Sequence, residues 1–440
     1  MNKKFVLPFL ALTVISCIGL FCCQEDNPVT TQANMNYADI AWMLTSAGLV
    51  LLMTPGLSFF YGGMVSKKNI ISTMLQSFIA LGVITVLYVF VGFSLCFGDS
   101  FHGIIGNPFT YFMFHNVDLN TNAALAPTIP MLLFALFQMK FAIITPALIT
   151  GSFAERVKFN AYLLFICLFS VFIYAPLAHW TWHPEGFLRK LGVLDFAGGT
   201  VVHMSAGYAA LAGAMILGPR TSWGSERHLE PANIPYVILG TGMLWFGWFG
   251  FNAGSSLGAN TQAVLAFSTT VVASAAAMLS WIFFDAVRGK KVSAMGACIG
   301  AVVGLVAITP AAGFVTIPHA LFIGFAASII SNLAVKAKDK YHLDDTLDVF
   351  PCHGLGGIVG MILTGVFAKD VGLFYGHTTT FLYHLLGLLI VSVYTFGGSY
   401  ILYKLTEKVV PLRVSLQEEI DGLDYTQHGE VYKLKKPGQQ

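Results

Sequence analysis

Apolar runs long enough to cross a bilayer recur along most of the chain. A transmembrane helix needs about 20 mainly apolar residues, and stretches of that length occur eleven times after residue 37. They cover 38–65, 70–97, 128–153, 159–178, 196–217, 232–252, 262–286, 292–309, 314–335, 348–368 and 381–403. This pattern predicts an all-α polytopic membrane protein with eleven transmembrane helices.

The polar segments between these runs limit the number of domains. Only 98–127 and the tail from residue 404 are long, and the other connections are too short to hold a soluble domain. We therefore expect one membrane domain over 38–403, followed by a tail over 404–440.

The N-terminus has the pattern of an export signal. Two lysines precede an apolar core over 5–15, and polar residues at 24–27 follow too soon for a full span. We expect residues 1–23 to be a signal peptide that is removed. The alternatives are an uncleaved extra helix and lipid attachment at Cys17.

Composition agrees with a membrane location and excludes several other classes. Hydrophobic residues make up 56% of the chain and charged residues 10%, whereas soluble domains carry about 25% charged residues. The net charge of +2 supplies no basic surface for nucleic acid. The seven cysteines form no CxxC pair and no His/Cys metal spacing, so we expect neither a disulfide framework nor a bound cofactor.

Basic residues predict the orientation in the membrane. When the N-terminus is placed outside, the outer connections contain only Arg189, Lys190 and Lys369, and the inner connections contain the other loop and tail lysines and arginines. Because positive residues favour the cytoplasmic side, we expect the N-terminus outside and the C-terminus inside. The inner-loop residues 67–69 are expected to have no special role.

Two segments place ionisable residues at membrane depth. Asp195 precedes His203 by eight residues, Asp345 precedes His353 by eight, and a glycine follows each histidine by four. The segments lie on the fifth and tenth spans, so they run in opposite directions, as in an inverted five-helix repeat with its site between the halves. Each aspartate is interpreted as capping a helix start. The histidines mark a functional site or, alternatively, only hydrogen-bond neighbouring helices.

At this point the chain resembles the ammonium transporter family, which includes the Amt, methylammonium permease and Rhesus proteins. The resemblance extends over roughly 38–430 and depends on several segments together. These are Gly-Leu-Ser-Phe-Phe-Tyr-Gly-Gly (56–63), Gly-Ser-Phe-Ala-Glu-Arg (151–156), Asp-Phe-Ala-Gly-Gly-Thr-Val-Val-His (195–203), Trp-Phe-Gly-Phe-Asn-Ala-Gly-Ser (248–255), His-Gly-Leu-Gly-Gly (353–357) and Gly-Leu-Asp-Tyr-Thr-Gln-His-Gly-Glu (422–430).

The resemblance implies an outer cation site formed by Trp182, Ser255 and Phe141. Below it, the rings of Phe141 and Phe251 would form a paired phenyl gate. Ammonium has one charge and four N–H donors, so aromatic faces and a hydroxyl acceptor suit it. Lys140 departs from the small polar residue that is usual in the family. Because adjacent helical positions point about 100° apart, we expect Lys140 to point away from the pore, outward or toward a subunit contact.

The resemblance also implies that His203 and His353 handle the proton in the pore, with Asp195 in a supporting role. A dry pore penalises a bare ion heavily, and ammonium differs from potassium because it can give up a proton. We therefore expect ammonium to be deprotonated and ammonia to pass. The sequence leaves open whether the proton is relayed or ammonia crosses alone.

The resemblance implies a non-enzymatic transporter in the plasma (inner) membrane, assembled as a homotrimer with one pore per subunit. It also implies a cytoplasmic regulatory tail and a PII signalling protein that binds the inner loops. Two other functions stay open. The inverted repeat alone permits an ion-coupled transporter of another small substrate, although intramembrane carboxylates for sodium are absent. The other is an ammonium sensor that signals through its tail.

Overall fold

The structure, a computed structural model, describes residues 5–22, 28–223 and 230–432. The apolar runs form helices because a helix satisfies its own backbone hydrogen bonds where no water is present. In chain order these helices are α1 (Val6–Phe21), α2 (Tyr37–Met64), α3 (Ile70–Phe97), α4 (Met131–Ser152), α5 (Phe159–Leu191), α6 (Gly199–Leu217), α7 (Ile234–Gly254), α8 (Thr261–Val287), α9 (Ala294–Ile308), α10 (Ile317–Lys340), α11 (Phe350–Phe367) and α12 (Thr378–Val409).

Within the described ranges, ten of these helices are long and apolar enough to cross a membrane. They confirm the prediction of an all-α polytopic membrane protein. The predicted span at 292–309 corresponds to α9, which has 15 residues, fewer than the about 20 that a crossing usually needs. The count of eleven spans therefore stays a prediction.

The predicted signal peptide corresponds in part to α1. This helix is apolar, has 16 residues and buries none of them. Residues 1–4 and 23 of the predicted leader lie outside the described residues, as do residues 24–27 that follow it. Removal of residues 1–23 stays a prediction.

Side-chain caps fix where several helices begin. Asn36, Asn233, Asn260 and Ser293 each accept a hydrogen bond from backbone N–H groups in the first turn of α2, α7, α8 and α9. The first N–H groups of a helix have no partner within the helix, so a polar side chain at this position satisfies them and ends the loop.

The two histidine-bearing helices, α6 and α11, contact each other closely. A Cβ added to Gly207 would lie 2.3 Å from the Gly354 Cα, and one added to Gly357 would lie 3.0 Å from the Gly199 carbonyl oxygen. Each glycine that follows a histidine by four residues therefore lets the opposite helix approach. Both helices also begin with a π-helical turn. This reciprocal contact is the arrangement that an inverted repeat predicts.

The segment 98–127 is not only a polar connection, because it contains most of two small antiparallel hairpins. The paired strands are β1 (Ser100–Phe101) with β2 (Ile105–Gly106), and β3 (Thr121–Asn122) with β4 (Ala126–Pro130).

The predicted end of the fourth span at residue 178 is wrong. The helix continues through Trp182, and a further helical turn at Phe187–Leu191 follows. Trp180 Nε1 donates to the Ile104 carbonyl oxygen at 2.6 Å, so the first hairpin holds the last helical turn in place. The residues around Trp182 therefore belong to a fixed helix end instead of an outer loop.

A buried ion cluster joins the connections that were predicted to lie inside. Arg156 is fully buried and lies 3.9 Å from the carboxylate of Asp344. Arg220, between α6 and α7, donates to Asp344 and to Glu155, each at 2.9 Å. Three separate predicted inner connections therefore meet on one face of the bundle.

Two short helices of the tail, α13 (Leu416–Asp421) and α14 (Leu423–His428), pack on the same face. Lys68 Nζ donates to the last carbonyl oxygens of α13, those of Glu419 and Ile420, at 2.9 and 2.6 Å. Asn69 accepts the Leu423 N–H at 2.8 Å.

The expectation that residues 67–69 have no special role is therefore wrong for Lys68 and Asn69, because these two side chains hold the tail. The tail also contacts the membrane domain through one of its own side chains. The carboxylate of Asp424 accepts the Ser72 N–H at 2.7 Å, in the first turn of α3. Residues 433–440 of the predicted tail lie outside the described residues.

Candidate functional site

A cavity of about 410 Å³ opens at the outer ends of α4 and α5. All three residues of the predicted outer site line it: Trp182, Ser255 and Phe141. The rings of Trp182 and Phe141 form an edge-to-face pair, with the centroids 5.7 Å apart and the planes at 81°. Ser255 donates its hydroxyl proton to the Phe251 carbonyl at 2.8 Å, so its oxygen lone pairs remain available to a cationic donor.

Two phenyl rings close the inner end of this cavity. The centroids of Phe141 and Phe251 lie 4.2 Å apart with the planes at 32°. Both side chains are fully buried, and the ring of Phe251 lies 6.0 Å from that of His203. The predicted gate residues therefore lie in contact, with tilted ring planes, between the outer cavity and the histidines.

The two predicted pore histidines lie together at the centre of the bundle. Their Nδ1 atoms are 3.3 Å apart, and the rings are 1% and 3% exposed for His203 and His353. A shared proton at this distance requires one ring to donate and the other to accept. The His203 Nε2 atom is buried and has no hydrogen-bond partner in the described part of the chain.

A second cavity, of only about 10 Å³, borders both histidines. That volume holds roughly one water-sized sphere. The rest of its lining is apolar or aromatic: Met53, Leu57, Phe60, Ile144, Leu148, Val202, Leu244, Trp248, Phe251 and Val302. A hydrated ion does not fit this space without losing its water.

Asp195 is engaged by the backbone at the start of α6. Its carboxylate accepts the N–H groups of residues 198–200 at 2.6–2.8 Å. The matching residue, Asp345, accepts the Phe350 N–H at 2.7 Å at the start of α11. Both aspartates therefore occupy capping positions, and each fixes the turn that leads to a histidine.

Trp248 is a site residue to which sequence analysis gave no role. Its ring lies parallel to His203, with the centroids 5.4 Å apart and the planes at 17°. Its Nε1 donates to the Thr309 hydroxyl at 2.9 Å. Trp248 belongs to the segment 248–255, which supports the family resemblance. No residue spacing within that segment indicated a contact with His203.

His384 on α12 is a second residue that sequence analysis missed. Its Nε2 accepts the Leu194 N–H at 3.0 Å, and its Nδ1 lies 2.8 Å from the Met361 carbonyl oxygen. The neutral ring therefore carries its proton on Nδ1. The ring joins the segment before Asp195 to α11. The same search for intramembrane histidines would have found it in the predicted span 381–403.

Lys140 points away from the candidate pathway, as the sequence predicted. The side chain is half-buried and lines neither the outer nor the central cavity. Among the described residues it has no ion-pair or hydrogen-bond partner. A lysine on a membrane helix can extend its chain along the helix to place the ammonium group in water.

A bundle of membrane-spanning helices around a narrow buried path defines a multi-pass membrane protein of the transporter class. In the ranges that the structure describes, no group of three or more His, Cys, Asp or Glu side chains is placed to hold a metal ion. The chain belongs to the Ammonium Transporter Family, whose model matches residues 41–433. The members of this family are membrane transporters and not enzymes.

Comparisons with individual proteins agree with this assignment. An ammonium transporter of Aquifex aeolicus is 46% identical over 413 residues, which cover 92% of this chain and 95% of the relative. The crystal structure of Candida albicans Mep2 superimposes with a TM-score of 0.83 at 34% identity, covering 88% of each chain. A sensor Amt protein matches with a TM-score of 0.82 at 30% identity, covering 89% of this chain and 98% of that one.

Proposed function

We propose that this protein is an ammonium transporter of the plasma (inner) membrane. Ammonium binds in the outer cavity, loses a proton near the phenyl gate and crosses the centre as ammonia, while the two histidines relay the proton. The observation that supports this proposal most is the sequence of features along one path: an aromatic cavity, a stacked gate and then a buried histidine pair.

The outer cavity suits a small cation that donates hydrogen bonds. The faces and edges of Trp182 and Phe141 supply cation–π attraction, worth about 0.5–2 kcal/mol. The Ser255 oxygen supplies a hydrogen-bond acceptor. This combination concentrates ammonium at the entrance of the pore without binding it so tightly that it cannot leave.

The narrow centre explains why the cation is expected to lose its proton. Moving an ion into a space lined by apolar side chains costs far more than moving a neutral molecule. Ammonium avoids this cost by deprotonation, and potassium cannot. Selection against potassium then follows from its inability to lose a proton and not from its size.

The histidine pair offers a route for the released proton. A proton accepted by His203 Nε2 from ammonium makes that ring a cation, which passes its Nδ1 proton to His353 Nδ1, 3.3 Å away. His353 then releases its own proton from Nε2 to water on the inner side. Each ring is left as the other tautomer, so the pair returns to its starting tautomers before the next cycle.

We also propose, from the family resemblance, that the protein is a homotrimer and that a cytoplasmic PII protein binds its inner face. The unpartnered Lys140 supports a contact beyond this subunit. The docked tail helices support a regulated inner face. The match to a sensor Amt protein favours ammonium sensing as the second candidate function, exerted through the same tail.

Replacing each histidine tests the mechanism. His203→Ala and His353→Ala should abolish or strongly reduce ammonium-dependent currents in proteoliposomes, and an aspartate at either position should admit potassium. Potassium current in the wild-type protein is the control for selectivity. If both alanine variants keep wild-type, ammonium-selective transport, the histidines are structural and the relay is wrong.

A further inference from the structure

Two polar side chains in the outer cavity have no role in the mechanism described so far. Gln138 and Thr181 both line the cavity, and they are only 9% and 5% exposed. Gln138 Oε1 and Thr181 Oγ1 are buried without a hydrogen-bond partner in the described part of the chain. A buried polar atom that lacks a partner is costly, so each of these atoms indicates a ligand.

Their positions place both groups beside the aromatic site. Gln138 precedes Phe141 by three residues on α4, which puts it on a similar face and about 4.5 Å nearer the outer end. Thr181 is adjacent to Trp182 in the helical turn of α5 that ends at Trp182. Both side chains border the same cavity as the two rings and Ser255.

The chemistry of the cation requires more acceptors than Ser255 alone can supply. Ammonium has four N–H donors, and a single hydroxyl and two aromatic rings leave some of them without a strong acceptor. The Gln138 amide has no partner in the described residues that fixes its orientation, so its oxygen can turn toward the cavity. The Thr181 hydroxyl oxygen can accept a further N–H.

We propose that Gln138 and Thr181 are direct ligands of the cation in the outer cavity, and that they favour ammonium over methylated amines. This inference rests on the proposed function, because it assigns further ligands to the same cation site. Methylation removes N–H donors one at a time, and a cation with fewer than three of them, such as dimethylammonium, leaves at least one of the three oxygen acceptors unpaired. The two residues therefore contribute to specificity as well as affinity.

The test uses substitutions that remove the acceptor and keep the shape. Gln138→Met and Thr181→Val should each raise the apparent KM for ammonium about three- to tenfold, the usual effect of losing one hydrogen bond. The maximal rate should stay near the wild-type value. The KM for methylammonium should rise less, because its methyl group can turn toward the new apolar side chain. Thr181→Ser should retain the wild-type KM.

The controls separate this inference from the proposed function. Thr45→Val makes the same change at an exposed position whose hydroxyl donates to its own helix, and it should leave the KM unchanged. If the wild-type protein does not transport ammonium, the proposed function fails. If it does, and both variants keep the wild-type KM, or lose only maximal rate, the two side chains are structural and the inference is overturned.

Discussion

Trp182 connects the outer cavity to the helix that carries His203. Its ring packs edge-on against Phe141, and its Nε1 donates to the carbonyl of Asp195 at 3.2 Å. The same aspartate caps α6 through its carboxylate. This aromatic side chain therefore contacts both Phe141 and the segment that begins α6, which fixes its orientation in the outer cavity.

Replacing Trp182 with leucine should weaken the apparent affinity for ammonium several-fold, because one cation–π contact is worth on the order of 1 kcal/mol. Selectivity against potassium should persist, since it depends on the narrow centre below the gate. Concentration-dependent transport of ammonium, with potassium as the competing ion, measures both. An unaltered concentration dependence would remove Trp182 from the cation site.

At the residue scale, the sequence predicted those site positions that belong to a motif. His203 and His353 share a spacing to an aspartate and a glycine, so their relation was visible without a structure. Trp248 and His384 have no such repeated pattern. Their roles depend on contacts between distant helices, and a contact of that kind leaves no periodic signal in one sequence.

At the scale of elements, the contact between α6 and α11 depends on the absence of side chains. Gly207→Ala should disrupt it, because the new Cβ would lie 2.3 Å from the backbone of Gly354 and a backbone cannot move aside as a side chain does. We expect a clear loss of folded protein and of transport. Size-exclusion profiles and uptake assays measure the two effects.

The matched control for this substitution is Gly82→Ala on α3, where nothing lies within 4 Å of the added Cβ. Glycine inside a helix is destabilising by about 0.5–1 kcal/mol relative to alanine, so this variant should be as stable as the wild type or slightly more stable. Equal behaviour of the two variants would contradict a close contact between α6 and α11.

The tail forms a second element-scale unit, because α13 and α14 are fastened to the inner loop at 67–69 and to the start of α3. Deletion of 412–440 should change transport activity or its regulation, since it removes the Asp424 cap from the first turn of α3. Membrane insertion should persist because the apolar helices are untouched. If the truncated protein keeps wild-type transport and unaltered PII binding, this prediction is wrong.

The positions of the helices could be predicted from the sequence, but some of their boundaries and irregular turns could not. The lengths of the apolar runs located the helices well, because a chain that crosses lipid must satisfy its own backbone hydrogen bonds and a helix does so. They did not show that α5 continues past residue 178, and they did not locate the strand pairs in 98–127 or the π-helical turns. Those features depend on tertiary contacts, such as the one between Trp180 and Ile104, that hydropathy does not record.

At the scale of the whole molecule, the buried ion cluster ties the inner connections of both halves together. Burial alone would raise the pKa of Glu155 and of Asp344. The attraction of Arg220 for Glu155 and of Arg156 for Asp344, together with hydrogen bonds from Ser66 to Glu155 and from Arg220 to both carboxylates, outweighs burial, so both pKa values lie below their usual values. The two carboxylates therefore stabilise the fold above their unfolded pKa values, and this stabilisation is lost as the pH falls through the folded values.

The unfolding temperature of the purified protein should therefore be steady near neutral pH and fall once the pH drops below 4.5 and then 3.8, the usual pKa values of these groups. Asp344→Asn should lower the unfolding temperature at neutral pH and weaken its decline in acid. Removing one partner of a buried pair costs about 3–5 kcal/mol. Tryptophan fluorescence during heating measures both effects.

Asp370→Asn changes an exposed carboxylate on the outer side and serves as the control. It should have the unfolding temperature and the acid dependence of the wild type. An Asp344→Asn variant that matches this control at every pH would show that the cluster does not stabilise the fold.

The smallness of the central cavity has a consequence for osmosis. A continuous file of water needs polar partners along its whole length, but the space beside His203 and His353 holds roughly one water molecule, and stacked rings close its outer side. Vesicles that contain the protein should therefore shrink in hypertonic sucrose no faster than empty vesicles, as stopped-flow light scattering can measure. A cell can then insert many copies to gather nitrogen without altering its turgor.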